Sequence, residues 1–165
     1  MATTVVARSA APSSDSSRDD VLRYGREVIG VEARALQQLV DRLGAPFCDA
    51  VEMILAASGC IIVTGIGKAG LIGQKLCATF ASTGARAHFL HPAEAFHGDL
   101  GRVHPGDLVL VLSQSGETAE VLQLLPALRS LGVKLIAMTA SAESTLGRAS
   151  AIVLPLGRLE EACSL

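Results

Sequence analysis

The segment that most constrains the fold covers residues 108–120 and reads LVLVLSQSGETAE. Five apolar residues, Leu108–Leu112, have the length and continuity of a strand buried on both faces of a parallel sheet. The character then changes within one residue. Ser113-Gln114-Ser115-Gly116 supplies two hydroxyls, an amide and a flexible backbone position. The apolar-periodic run that follows predicts a helix over 118–131. A strand ending in a hydroxyl-rich turn that opens a helix places unpaired N–H groups and partial positive charge at the edge of the sheet. Such a turn suits a phosphate. The alternative is plain capping by Ser115 or Thr118 with a Glu partner, but one capping hydroxyl needs no second and third beside it.

The rest of the chain repeats this alternation. Residues 60–64, 86–90, 134–139 and 151–154 read as strands, and 71–82 and 141–149 as helices. Residues 91–101 read as a loop holding one helical turn. Strands alternating with helices at regular spacing predict an α/β fold with a parallel, doubly wound sheet. Two helices precede the alternation. The first, over 21–43, shows Leu22, Val28, Ile29, Ala35, Leu36, Leu39 and Val40 at helical spacing and meets a terminator at Gly44. The second opens near Pro46, carries Phe47, Val51, Ile54 and Leu55, and ends at Gly59. Residues 1–19, rich in Ser, Ala and Asp, predict a disordered tail, leaving 20–165 as one domain.

At 165 residues, half of them apolar and 18% charged, the chain can bury a real core. A formal net charge of −2 gives no basic surplus for nucleic acid or an anionic membrane. Apolar runs stop at strand length, far short of the roughly 20 residues that span a bilayer. The N-terminus lacks the apolar block of a signal peptide. Cys48, Cys60, Cys77 and Cys163 show no metal-ligand spacing; the first three sit in apolar runs and read as small buried hydrophobes, which fits a reducing cytoplasm.

Four constellations can carry chemistry. Gly65-x-Gly67-x-x-Gly70 follows a strand and precedes a helix, as a dinucleotide fingerprint does. The acidic residue expected about 20 positions on is missing, because the next strand ends Phe89-Leu90-His91. Lys68 sits in the same loop, where a cation can neutralise a sugar phosphate or polarise an oxygen. His91-Pro92-Ala93-Glu94-Ala95-Phe96-His97-Gly98-Asp99 places two His and two carboxylates past a strand's C-terminal end. His91 reads as a cap and His97 as a proton shuttle. A zinc site from His91, His97 and a carboxylate fits no standard spacing. Glu117 and Glu120, three apart, would share one side of a helix. Glu160 and Glu161 stand in what composition alone makes a frayed end.

On the stretches GIGKAGLIGQKLCATFASTGARAHFLHPAEAFHGDLG (65–101), LSQSGETAEV (112–121) and EEAC (160–163), the chain resembles the sugar isomerase (SIS) domain family. More narrowly, it resembles arabinose-5-phosphate isomerases of the KpsF/GutQ type. The resemblance implies a flavodoxin-like five-stranded parallel sheet with helices on both faces. It implies phosphate held by Ser113, Gln114, Ser115 and Thr118, with Gly65 and Gly67 in the substrate loop. Lys68, His97, Glu120 and Glu161 fall on the family's catalytic positions. The implied reaction interconverts D-arabinose 5-phosphate and D-ribulose 5-phosphate through an enediol, feeding Kdo synthesis for lipopolysaccharide, with no cofactor and no metal. The implied state is a cytoplasmic homo-oligomer, a tetramer in the family. In the family the EAC segment continues into a long helix and a loop with a second His, which this sequence does not reach. The alternative to catalysis is a regulatory module that binds a phosphosugar without turning it over.

Overall fold

The computed structural model describes residues 18–158 and residue 162. Residues 1–17 of the predicted tail, Glu160, Glu161 and Cys163 lie outside the described residues. The chain divides into two compact units. In the first, helix α1 (Arg18–Val40) takes in the last two residues of that predicted tail. It opens with Asp19 and Asp20, which suit the positive end of its dipole. None of its residues is buried.

The second unit, Arg42–Arg158, holds every buried residue among those described. Helix α2 (Ala45–Leu55) starts with Pro46 in its first turn. Then follow β1 (Ile61–Gly65), α3 (Lys68–Ser82), β2 (Ala87–Leu90) and the single-turn α4 (Pro92–Ala95). A short 3-10 helix (Asp99–Arg102) leads to β3 (Leu108–Leu112), α5 (Ala119–Ser130), β4 (Lys134–Thr139), α6 (Thr145–Ala149) and β5 (Ile152–Pro155). The five strands form one parallel sheet in the order β2-β1-β3-β4-β5, the doubly wound arrangement expected.

Strands β1 and β3 are buried at every position, because alternate side chains feed two cores. On one face Ile62, Leu90, Val109, Val111 and Ala137 pack with Val121, Leu124 and Leu128 of α5 and Leu146 of α6. On the other, Ile61, Val63, Leu108, Leu110 and Ile136 pack with Ala50 of α2 and Cys77 of α3. Burial pushes the Cys77 thiol up, away from reactivity. Cys48 departs from the expectation of burial: it stands exposed, on the outward side of α2.

The boundaries differ in places that matter. Helix α3 begins at Lys68, three residues before the expected start, so the glycine loop shrinks to Ile66 and Gly67. Gly70 and Gly73 lie inside the helix, where they allow close packing. A Cβ on Gly70 would meet the Gly65 carbonyl at 2.9 Å, and one on Gly73 would meet Phe89 Cε2 at 2.9 Å. Helix α6 starts at Thr145 rather than 141, and Ser144 caps it by accepting from Gly147 N at 3.0 Å. The second helix ends at Leu55, short of Gly59.

Candidate active site at the carboxyl edge of the sheet

The strand order reverses between β1 and β3, so their connections leave toward opposite faces and open a crevice beyond the strand ends. Gly65, the last residue of β1, pairs with Leu112, the last of β3. The segments carrying Lys68 and the hydroxyl turn therefore leave adjacent strands at one level. Leu90 pairs with Thr64, so His91 begins its connection beside them. Gly65, Gly67, Lys68, the His91–His97 connection, residues 113–118 and Glu120 all belong to this edge. Glu161 is the one candidate outside the described residues.

Glycine is required at two places in the first connection. A Cβ on Gly65 would come within 3.0 Å of the Leu112 carbonyl and 3.2 Å of the Ala69 carbonyl carbon. Gly67 has φ of +59°, a left-handed conformation that side chains resist. That kink starts α3 at once, and Gly67 offers no side chain to cap it. Lys68, exposed, thus stands in the first helical turn, beside backbone N–H groups that no side chain occupies.

The turn after β3 is organised around Ser113, buried, whose hydroxyl lies 2.8 Å from the Thr118 hydroxyl and accepts from Gly116 N at 3.1 Å. Ser115, exposed, accepts from Glu117 N at 3.1 Å. Gln114 spends its amide differently: Nε2 donates to the Gly157 carbonyl at 3.0 Å, tying the turn to the exit of β5. The Arg42 guanidinium holds the neighbouring Leu156 carbonyl. Thr118 occupies the N-cap position of α5 yet makes no cap bond with its side chain, because its hydroxyl faces Ser113. The capping alternative for Thr118 therefore fails here. Two helix N-termini, those of α3 and α5, face the same edge without side-chain caps, and both favour an anion there.

Glu120 is exposed in the first turn of α5. Glu117 does not share its helix face, as the sequence spacing implied; it precedes α5 and its Oε1 accepts from Thr145 N at 2.7 Å. That bond, with Arg148 contributing weakly, holds its carboxyl below the usual range. Sequence reasoning set Glu117 beside Glu120 on a helix face and missed its partner in α6. The Ser-x-x-Gly spacing around Ser144 was the available signal, since it marks a helix start whose free amides need an acceptor.

His91, expected to cap the strand end, caps the start of α4: Nδ1 accepts from Ala93 N at 3.3 Å. Its ring meets Phe89 edge-on, with centroids 6.3 Å apart. Phe89 is also the ring that fills the space above Gly70 and Gly73. His97 follows α4, exposed, with its backbone N–H held by the Glu94 carbonyl at 2.9 Å. Helix α4 packs against α5, which brings the His97 connection and the turn to the same side of the sheet.

A cavity of about 640 Å³ lies at the opposite edge, among Asp49, Glu52, Ser58, Asp107 and Lys134. Asp107, its buried acid, is committed to structure: it accepts from Cys60 N and His104 N, both at 2.7 Å. The carboxyl edge, with its hydroxyls, Lys68 and two helix N-termini, has the chemistry this one lacks. Among the described residues no three His, Cys, Asp or Glu side chains converge as metal ligands would. No helix among them is long and apolar enough to cross a membrane.

The SIS domain family matches residues 54–163. Arabinose 5-phosphate isomerase KdsD of Pseudomonas aeruginosa is 44% identical over 146 residues, which are 88% of this chain and 45% of that protein. Arabinose 5-phosphate isomerase GutQ of Salmonella typhi is 44% identical over 147 residues, 89% of this chain and 46% of that protein. The chain thus spans less than half the length of these curated relatives. A solved structure of an Escherichia coli CFT073 protein in complex with arabinose 5-phosphate superposes with a TM-score of 0.86 at 35% identity, covering 89% of this chain and 78% of that one. The sheet order, the hydroxyl turn and these likenesses agree, and the chain belongs to the SIS domain family, in its arabinose 5-phosphate isomerase (KdsD/GutQ) branch.

Proposed function

We propose that this domain binds a pentose phosphate at the carboxyl edge and interconverts D-arabinose 5-phosphate with D-ribulose 5-phosphate, a step toward Kdo. The observation that carries the reading is the pairing of Gly65 with Leu112, which sets Lys68 and the hydroxyl turn side by side at the switch point. Among the described residues, the hydroxyls of Ser113, Ser115 and Thr118 bond only to each other and to the turn's own amides. Rotating these hydroxyls outward, with the N–H groups of α5, gives the phosphate neutral donors and a favourable dipole. Gln114 joins them by releasing Gly157, or stays as the tie that shapes the turn.

The reaction needs a base for the C2 proton, a proton carrier between the two oxygens, and a partner for enediolate charge. A carboxylate, Glu120 or Glu161, removes the proton from C2 of the open-chain aldehyde. The electrons form the enediolate, and Lys68 stabilises its oxygen. His97 carries a proton from O2 to O1, and the same carboxylate returns its proton to C1, leaving the ketone at C2. None of these steps consumes a redox cofactor. Two copies or more of the chain are expected to assemble.

The test follows arabinose 5-phosphate conversion by NMR with the purified protein. Turnover is expected to fall by about a hundredfold or more in Lys68→Ala and His97→Ala, with phosphosugar binding retained. Ser113→Ala and Thr118→Ala are expected to weaken binding instead. Full turnover in His97→Ala removes that residue from the mechanism. Binding without turnover in the wild type selects the regulatory alternative, and absence of both overturns the reading.

A further inference from the structure

The hydroxyl turn is held from outside as well as by its own hydroxyls. Its peptide groups are tied, one after another, to the stretch from the end of β4 to α6. The Gln114 carbonyl accepts from Ala140 N at 2.9 Å and from Thr139 Oγ1 at 3.3 Å. The Gly116 carbonyl accepts from Leu146 N at 3.1 Å. Gly116 itself has φ of +67°, and a Cβ there would strike Ser144 and come within 2.7 Å of Thr139 Oγ1. Glu117 adds the bond to Thr145 N.

The amides at the start of α6 are thereby spent. Thr145 N goes to Glu117, Leu146 N to Gly116, Gly147 N to Ser144 Oγ and Arg148 N to the Ser144 carbonyl. This N-terminus is a socket for the turn, in contrast to α3 and α5, whose first amides no side chain caps. Glu117 is the charged member of the socket, and its carboxylate ties the turn to α6. Its neighbour in the chain is Thr118, whose hydroxyl meets Ser113. Fixing the Glu117 side chain fixes the backbone from which Thr118 projects.

We infer that Glu117 is a positioning residue for the anion site: through Thr145 N it holds residues 113–118 in the shape that receives a phosphate. The inference rests on the phosphosugar reading above and assigns Glu117 no contact with substrate. The charged group acting on it is Arg148, whose guanidinium reaches the Glu143 carbonyl.

The experiment titrates wild type, Glu117→Ala and Glu117→Gln by calorimetry, first with inorganic phosphate and then with arabinose 5-phosphate. Thermal midpoints and amide exchange at residues 113–118 and 145–147 are measured alongside. Loss of a charge-assisted bond at a surface position is expected to weaken both ligands about tenfold in Glu117→Ala and to speed exchange across the turn. The midpoint should move by no more than about 3 °C. Gln keeps an acceptor oxygen in place, so Glu117→Gln is expected to stay within about threefold of wild type. Equal binding by Glu117→Ala overturns the inference and leaves the phosphosugar reading standing. Equal weakening in the Gln variant also overturns it, because charge rather than placement would then be at work. Failure of the wild type to bind either ligand overturns both, and is told apart by appearing before any substitution is made.

Discussion

Thr64 and His88 Nε2 are the two buried side-chain polar positions without a hydrogen-bond partner among the described residues. Thr64 is fully buried near the end of β1, level with Leu90 and Val111 in the core beneath α5. A buried hydroxyl without a partner costs its desolvation and returns nothing, so an apolar side chain of the same shape is better there. Thr64→Val is expected to raise unfolding free energy by about 1 kcal/mol in denaturant titrations. A loss of similar size would mean that the hydroxyl does have a partner in solution. Nothing in the sequence marks this residue, because a Thr in a buried strand is written the same way whether or not its oxygen is satisfied. Ser113 is the opposite case: its residue type and its place after Leu112 mark it in the sequence, and its hydroxyl has a partner in Thr118.

At the level of elements, periodicity carried most of the fold. Continuous apolar runs such as Leu108–Leu112 can be satisfied only by a strand with helices on both sides, and β3 sits at the centre of the sheet. What the pattern could not place was the start of α3. Glycine is a poor helix former, so Gly70 reads as loop by propensity, whereas packing against the Gly65 carbonyl demands its lack of a side chain. Tertiary contact overrode local preference, and Lys68 moved from a loop to a helical turn. The partner of Glu117 escaped for a related reason: Thr145 N is 28 residues away. The turn's dependence on α6 makes Gly116 a sharp test. Gly116→Ala combines a left-handed backbone with collision against Ser144. It is expected to cost about 2–3 kcal/mol in stability and to abolish phosphate binding, read by thermal unfolding and calorimetry.

For the molecule as a whole, the described core lies within Arg42–Arg158, and α1 contributes exposed Val21, Leu22, Ile29, Leu36 and Val40. Global stability also carries a pH signature. Burial of the His88 ring, with Arg102 adding to it and Asp107 and Asp99 opposing, pushes its pKa below the ordinary value of 6.5. The folded state therefore binds that proton less readily than the unfolded chain. Stability from this group is complete above about pH 6.5 and is lost as pH falls toward the lowered folded-state value. His88→Phe is expected to flatten the fall of the thermal midpoint between pH 7 and pH 5; an unchanged slope would assign the effect elsewhere. Phe89, the next residue along, reaches further than its position on an outer strand implies. One ring rests on the helix that presents the ammonium and also leans on the imidazole that opens the way to the second histidine. The two sides of the crevice are gauged from a common reference, and a smaller side chain at this position would let the Lys68 ammonium and the His97 imidazole drift apart while leaving every polar group in place.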